Sequence, residues 1–114
     1  MESMAKGKYL RCSARRVRRV ADMIRNNSVE SALATLFSLG KTQKSAMIMD
    51  KVLKAAVANL KEKNPTEQID TDSLKVSSII VDAGPHIKRI KARAQGRAFR
   101  INKKMCHLTL SVTD

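Results

Sequence analysis

The apolar positions of this 114-residue chain change period along its length. Behind Ser13, Val17, Val20, Ala21 and Ile24 fall at i, i+3, i+4 and i+7, which is the stripe of an amphipathic helix. Ser13 is placed to cap it, with a side-chain oxygen able to accept from an otherwise orphaned backbone N–H. Arg25 comes near its end, where a cation suits the helix dipole. Asn26-Asn27 breaks the pattern. Ser28 then caps a second helix, in which Val29, Ala32, Leu33 and Leu36 repeat the spacing with Phe37 beside them, and Gly40 is a natural stop. A third, longer helix is predicted from about Thr42 to Lys63. Met49, Val52, Leu53, Ala56, Val57 and Leu60 form its stripe, Met47 and Ile48 widen the stripe near its start, and Asn64-Pro65 ends it.

Beyond a polar, acidic loop at 64–73 the pattern becomes that of strands. Leu74 to Val81 is β-branched, and Cys106, Leu108, Leu110 and Val112 alternate with His107, Thr109, Ser111 and Thr113. The lead from Met1 to Arg11 could supply an extended edge strand. Between the two strand patterns lies His86 to Lys104, HIKRIKARAQGRAFRINKK, too poor in apolar side chains to offset its own ordering entropy. Asp82-Ala-Gly-Pro85 marks a bend where the first strand leaves the body, and Gln95-Gly96 is the candidate turn, since glycine tolerates positive φ. Pairing about a turn near 93–96 carries each arm about ten residues past the sheet, roughly 30 Å at about 3.3 Å per residue. A two-stranded ribbon of that length is marginal alone in water. The stretch is therefore predicted to be a hairpin, poorly ordered when free and fixed by a partner.

Composition sharpens what that partner is. The net charge is +13, and aromatics make up only 3%, so the core must be aliphatic. Residues 1–25 carry net +6, residues 26–82 net zero and residues 83–114 net +7. A neutral centre with two basic ends, one of them free of acids for thirty residues, points to a polyanion, nucleic acid above all. The first helix adds a reason of type: Arg15, Arg16, Arg18 and Arg19 fill its non-apolar faces with only Asp22 among them. Guanidinium groups bind phosphate bidentately where lysine offers a point charge.

Other chemistry is weakly supported. Cys12, Cys106, His86 and His107 could make up a zinc ligand set by number, but no pair has the usual close spacing. A nuclease built on His86 and His107 lacks paired carboxylates, a nucleophile elbow or a phosphate-cradling glycine loop. An architectural DNA-binding protein remains open on charge alone, because basic β-arms can enter a minor groove. MESMAKGKYL lacks the apolar region of a signal peptide, and no apolar run reaches bilayer length. The expectation is a soluble cytosolic protein with reduced cysteines.

Ser13-Ala-Arg-Arg16-Val-Arg18-Arg-Val20-Ala21-Asp22-Met-Ile24-Arg25 closely resembles the first-helix motif of the large-subunit ribosomal protein 22 family. Lys51-Val-Leu53 with Ala56-Val-Ala58-Asn59, Val81-Asp82-Ala-Gly84-Pro85, Lys88-Arg89, Arg93-Ala94-Gln-Gly96-Arg97-Ala98 and His107-Leu-Thr109-Leu-Ser-Val-Thr-Asp114 follow in the family's order. The resemblance runs from about Ala5 to Asp114, and the ordered set is far more specific than any one motif. It implies an α+β fold: three helices packed on a small three-stranded antiparallel sheet, with a long protruding β-hairpin. The body would be 1–82 and 105–114 of a single domain, and the hairpin about 83–104.

The resemblance also implies a cytoplasmic, ribosome-bound structural protein with no catalytic role. It would contact several domains of the large-subunit ribosomal RNA, act early in assembly and line the peptide exit tunnel with its hairpin. The RNA-binding residues would be Lys8, Arg11, Arg15, Arg16, Arg18, Arg19, Arg25, Lys88, Arg89, Lys91, Arg93, Arg97, Arg100, Lys103 and Lys104. The tunnel-lining tip would be Lys88, Arg89, Ile90, Lys91, Ala92, Arg93, Ala94, Gln95, Gly96 and Arg97. Neighbouring large-subunit proteins and the nascent peptide are the further partners implied; no cofactor, metal, membrane or self-association is expected. Three positions depart from the family's habit. Ala92 stands where a proline is common, which should leave the tip less rigid before binding. Asn26 replaces a glycine but also tolerates αL, and the loop at 61–73 is somewhat long.

Overall fold

The computed structural model describes all 114 residues. In chain order they form β1 (Glu2–Leu10), α1 (Ala14–Ile24), α2 (Val29–Leu39), α3 (Lys44–Lys63), β2 (Lys75–Ala83), β3 (Ile87–Ala92), β4 (Ala98–Lys103) and β5 (Cys106–Thr113). The lead segment is the edge strand β1, and the sheet order is β1-β5-β2, antiparallel throughout. The period-two pattern of β5 explains its central place: Cys106, Leu108, Leu110 and Val112 are all fully buried. Against this sheet, α3 packs on β1 and β5, α1 packs on β2, and α2 lies chiefly on α3.

The predicted stripes of α1 and α3 are the stripes that are buried, Val17, Val20, Ala21 and Ile24 in the one and Met49 to Leu60 in the other. The core of 24 residues contains no aromatic side chain. Leucine dominates its larger members, each worth about 1.5–3 kcal/mol on burial.

Ser13, Phe37 and Met47 depart from the local expectations. Ser13 has the extended backbone of an N-cap, but its side chain makes no capping bond. Arg25 stands at the end of α1 as its C-cap, its N–H donating to the Ala21 carbonyl at 3.0 Å, while its guanidinium turns aside to Asp22 at 2.7 Å and to the Ile79 carbonyl at 3.2 Å. Phe37 is 74% exposed, 100° round the helix from the buried Leu36, with the Lys41 ammonium 5.7 Å from its ring centroid. Met47 likewise faces out. Asn26 does adopt the left-handed conformation, at φ 64°.

The basic stretch forms a second, two-stranded sheet, β3 against β4. Its tip turns through Gln95 and Gly96, both at positive φ, and closes with the Arg93 N–H donating to the Arg97 carbonyl at 2.7 Å. The arms are not seamless extensions of the body. Gly84-Pro85-His86 separates β2 from β3, and Lys104-Met105 separates β4 from β5. Across that joint the Gly84 N–H donates to the Met105 carbonyl at 2.9 Å. A Cβ on Gly84 would stand 3.2 Å from the Met105 backbone, so this close crossing depends on the missing side chain. No helix is long and apolar enough to cross a membrane.

Candidate nucleic-acid interface

The N-terminal basic segment and the end of the hairpin, far apart in sequence, meet in one groove. Arg11, Arg15, Arg16 and Arg19 line it from the β1–α1 side, and Asn102 and Lys104 from the base of the hairpin. Thr42 to Ser45 complete it from the start of α3. The groove has a volume of about 890 Å³ and no acidic side chain among its lining residues. Arg11 Nη1 donates to the Lys104 carbonyl at 3.4 Å and so ties the hairpin's base to the body. Lys44 belongs to this cluster although sequence reasoning passed it over. It lies in the charge-neutral centre of the chain, and its only signal was a position just after a helix boundary.

The opposite side of α1 is different. Arg18 donates from Nε at 3.3 Å and Nη2 at 3.0 Å to the Val81 carbonyl, and Arg25 reaches Ile79. These two guanidinium groups staple α1 to β2. Part of their donor set is thereby committed to the protein.

Along the hairpin, register decides how so much positive charge is tolerated. Lys88 faces Asn102, Arg89 faces Ile101, Lys91 faces Phe99, Arg100 faces Ile90 and Lys103 faces Ile87. No cation in the ladder stands directly opposite another, which would be the destabilising arrangement. Arg93 at the turn lies 6.0 Å from the Phe99 ring centroid. Arg97 adjoins the turn, Ala92 pairs with Ala98 in the last rung, and from Lys88 to Arg100 every residue is exposed.

Lys8 lies elsewhere, in a shallow depression with Lys6, Tyr9, Asp82 and His107, where Asp82 offsets part of the charge. His107 is engaged there: its Nδ1 accepts from the Tyr9 N–H at 3.1 Å, and the two rings meet edge to face at 4.9 Å. His86 is exposed in the joint between β2 and β3. Cys12 and Cys106 are both buried free thiols. Burial pushes the Cys106 thiol above its ordinary value, and the nearby Cys12 adds to the shift. No three His, Cys, Asp or Glu side chains group so that they could hold a metal.

The arrangement is therefore an acid-free groove continuous with a basic limb, suited to phosphates. Compared with known protein families, residues 5–113 match the model for Ribosomal protein L22p/L17e.

Proposed function

The chain belongs to the ribosomal protein L22p/L17e family, structural and non-enzymatic constituents of the large ribosomal subunit, and from that premise we propose how it engages the ribosome. Groove and hairpin together bind the large-subunit ribosomal RNA, contacting more than one of its domains and supporting early subunit assembly. The hairpin extends along the peptide exit tunnel, with the turn at Arg93 to Arg97 as part of its wall.

The observation that carries this reading is the continuity of the two basic surfaces. Arg15, Arg16 and Arg19 on the body meet Lys104 at the root of the limb, with no acidic residue lining the groove between them. A surface of that kind suits a folded RNA whose phosphates pass from one arm to the other. The only aromatic on the limb is Phe99, which provides no stacking platform for unpaired bases. Recognition therefore rests on charge and shape.

Affinity for large-subunit RNA, measured across salt concentrations, should fall steeply, with a log–log slope on the order of −0.7 to −0.9 per neutralised phosphate. A flat dependence, or tighter binding to duplex DNA at matched salt, would overturn the reading. For the tunnel, a photo-crosslinker at Gln95 of ribosome-bound protein should capture a stalled nascent chain, and the same probe at Glu67 in the body should not. Capture from both positions or from neither would remove the tip from the tunnel wall.

A further inference from the structure

The groove contains more than cations. Two helices begin at it, α1 with eleven residues and α3 with twenty, and neither has a side-chain cap or an acid in its first turn. The first amide of α1 to find a partner is that of Val17, which donates to the Ser13 carbonyl at 3.3 Å. The preceding N–H groups at both helix starts are thus available to an outside acceptor. Ser45, in the first turn of α3, is a second and independent sign of a ligand. It is only 4% exposed, lines the groove and has no hydrogen-bond partner for its hydroxyl. The one completely enclosed side-chain oxygen without a partner is that of Ser3, so the Ser45 hydroxyl opens onto the groove.

We propose that this groove seats one backbone phosphate of the RNA between the N-termini of α1 and α3, with the Ser45 hydroxyl as a donor from the floor and Lys104 closing over it from the root of the limb. The seat rests on the RNA-binding function and specifies it further. Two helix N-termini direct N–H groups and the positive ends of their dipoles toward one anion. Arg15 and Arg16 add fork-shaped donors. Because Lys104 lies between β4 and β5, a phosphate held here fixes the root of the hairpin to the body. One phosphodiester thus sets the direction in which the limb leaves.

The test is a titration of the isotopically labelled full chain, following backbone amides, with inorganic phosphate in one arm and a short unphosphorylated ribo-oligonucleotide in the other. Both should give saturable shifts at the amides of Ala14–Arg16 and Lys44–Ala46, with the oligonucleotide binding more tightly. Equal affinity in the two arms would make it a free-anion site and overturn the RNA assignment. Shifts spread over all the basic segments without saturation would overturn the seat itself. Ser45→Ala removes a hydrogen bond but no charge. It should weaken large-subunit RNA binding roughly 3- to 10-fold while leaving the salt slope unchanged. Lys104→Gln should weaken binding and also lower the slope by about one phosphate. If Ser45→Ala binds as tightly as the parent while the steep salt dependence persists, the seat fails and the electrostatic reading survives. If neither protein shows that salt dependence, both fail.

Discussion

Arg16 and Arg18 lie two positions apart on α1, yet their guanidinium groups end in different surroundings. Arg16 opens into the groove, whereas Arg18 holds the Val81 carbonyl with two bonds. Arg18→Ala should lower stability by about 1 kcal/mol, read as a shift in the urea midpoint. Arg16→Ala should leave that midpoint within about 0.5 kcal/mol and instead lower the salt slope of RNA binding by about one phosphate. The two buried thiols lend themselves to a chemical test. Cys106 has a folded pKa raised by burial and by Cys12, so its contribution to stability is full below the unfolded thiol value of about 8.5. That contribution is lost as pH rises through the higher folded value. Iodoacetamide at pH 8 should therefore modify Cys106 far more slowly in the native protein than in urea; equal rates would mean that the thiol is accessible and ionised. At this scale the sequence identified which arginines were present and why guanidinium suits phosphate. It could not reveal that Arg18 and Arg25 are half committed to carbonyls more than fifty residues away, because such partners exist only once α1 has packed on β2.

The hairpin was legible as an element. The acid-free run between two strand patterns, the bend at Gly84-Pro85 and the turn at Gln95-Gly96 are all where the residue types place them. Register was not legible, because which cation faces which apolar residue depends on the pairing across the turn, and a one-residue slip changes every partner. The same applies to Phe37, which stands beside the stripe of α2 but stays exposed, because only Val29, Ala32 and Leu36 on that helix are buried. No core residue lies between Val81 and Cys106. Removing Lys88 to Arg97 and rejoining the arms with a short glycine-containing turn should leave the body folded, its thermal midpoint moving by no more than a few degrees. A cooperative unfolding transition lost on truncation would show that the limb supports the body.

Viewed whole, the protein measures 65 × 24 × 17 Å, and its charge divides between the body groove and the limb. Removing Lys88 to Arg97 takes away five cations, Lys88, Arg89, Lys91, Arg93 and Arg97. If each neutralises one phosphate, the salt slope should fall by up to about 4 while residual RNA binding persists through the groove. Complete loss of binding on truncation would mean that the groove does not bind RNA independently. The two basic ends were visible as a charge profile along the chain. Their convergence was not, since Lys44 comes from the neutral centre and Lys104 from the far end, and only the meeting of two helix starts with the limb's root brings them together.

The central position of β5 has a mechanical consequence. Both arms of the hairpin lead into neighbouring strands, β3 from β2 and β4 into β5, so a pull on the tip draws those two strands in the same direction. The ladder between them is then spared, and the load passes to the β1–β5 register from Glu2–Thr113 to Leu10–Cys106. There the hydrogen bonds lie across the direction of force and resist together. A traction that would unzip a peripheral hairpin rung by rung is met here by the most deeply buried strand in the molecule. The limb is a handle whose root is the core.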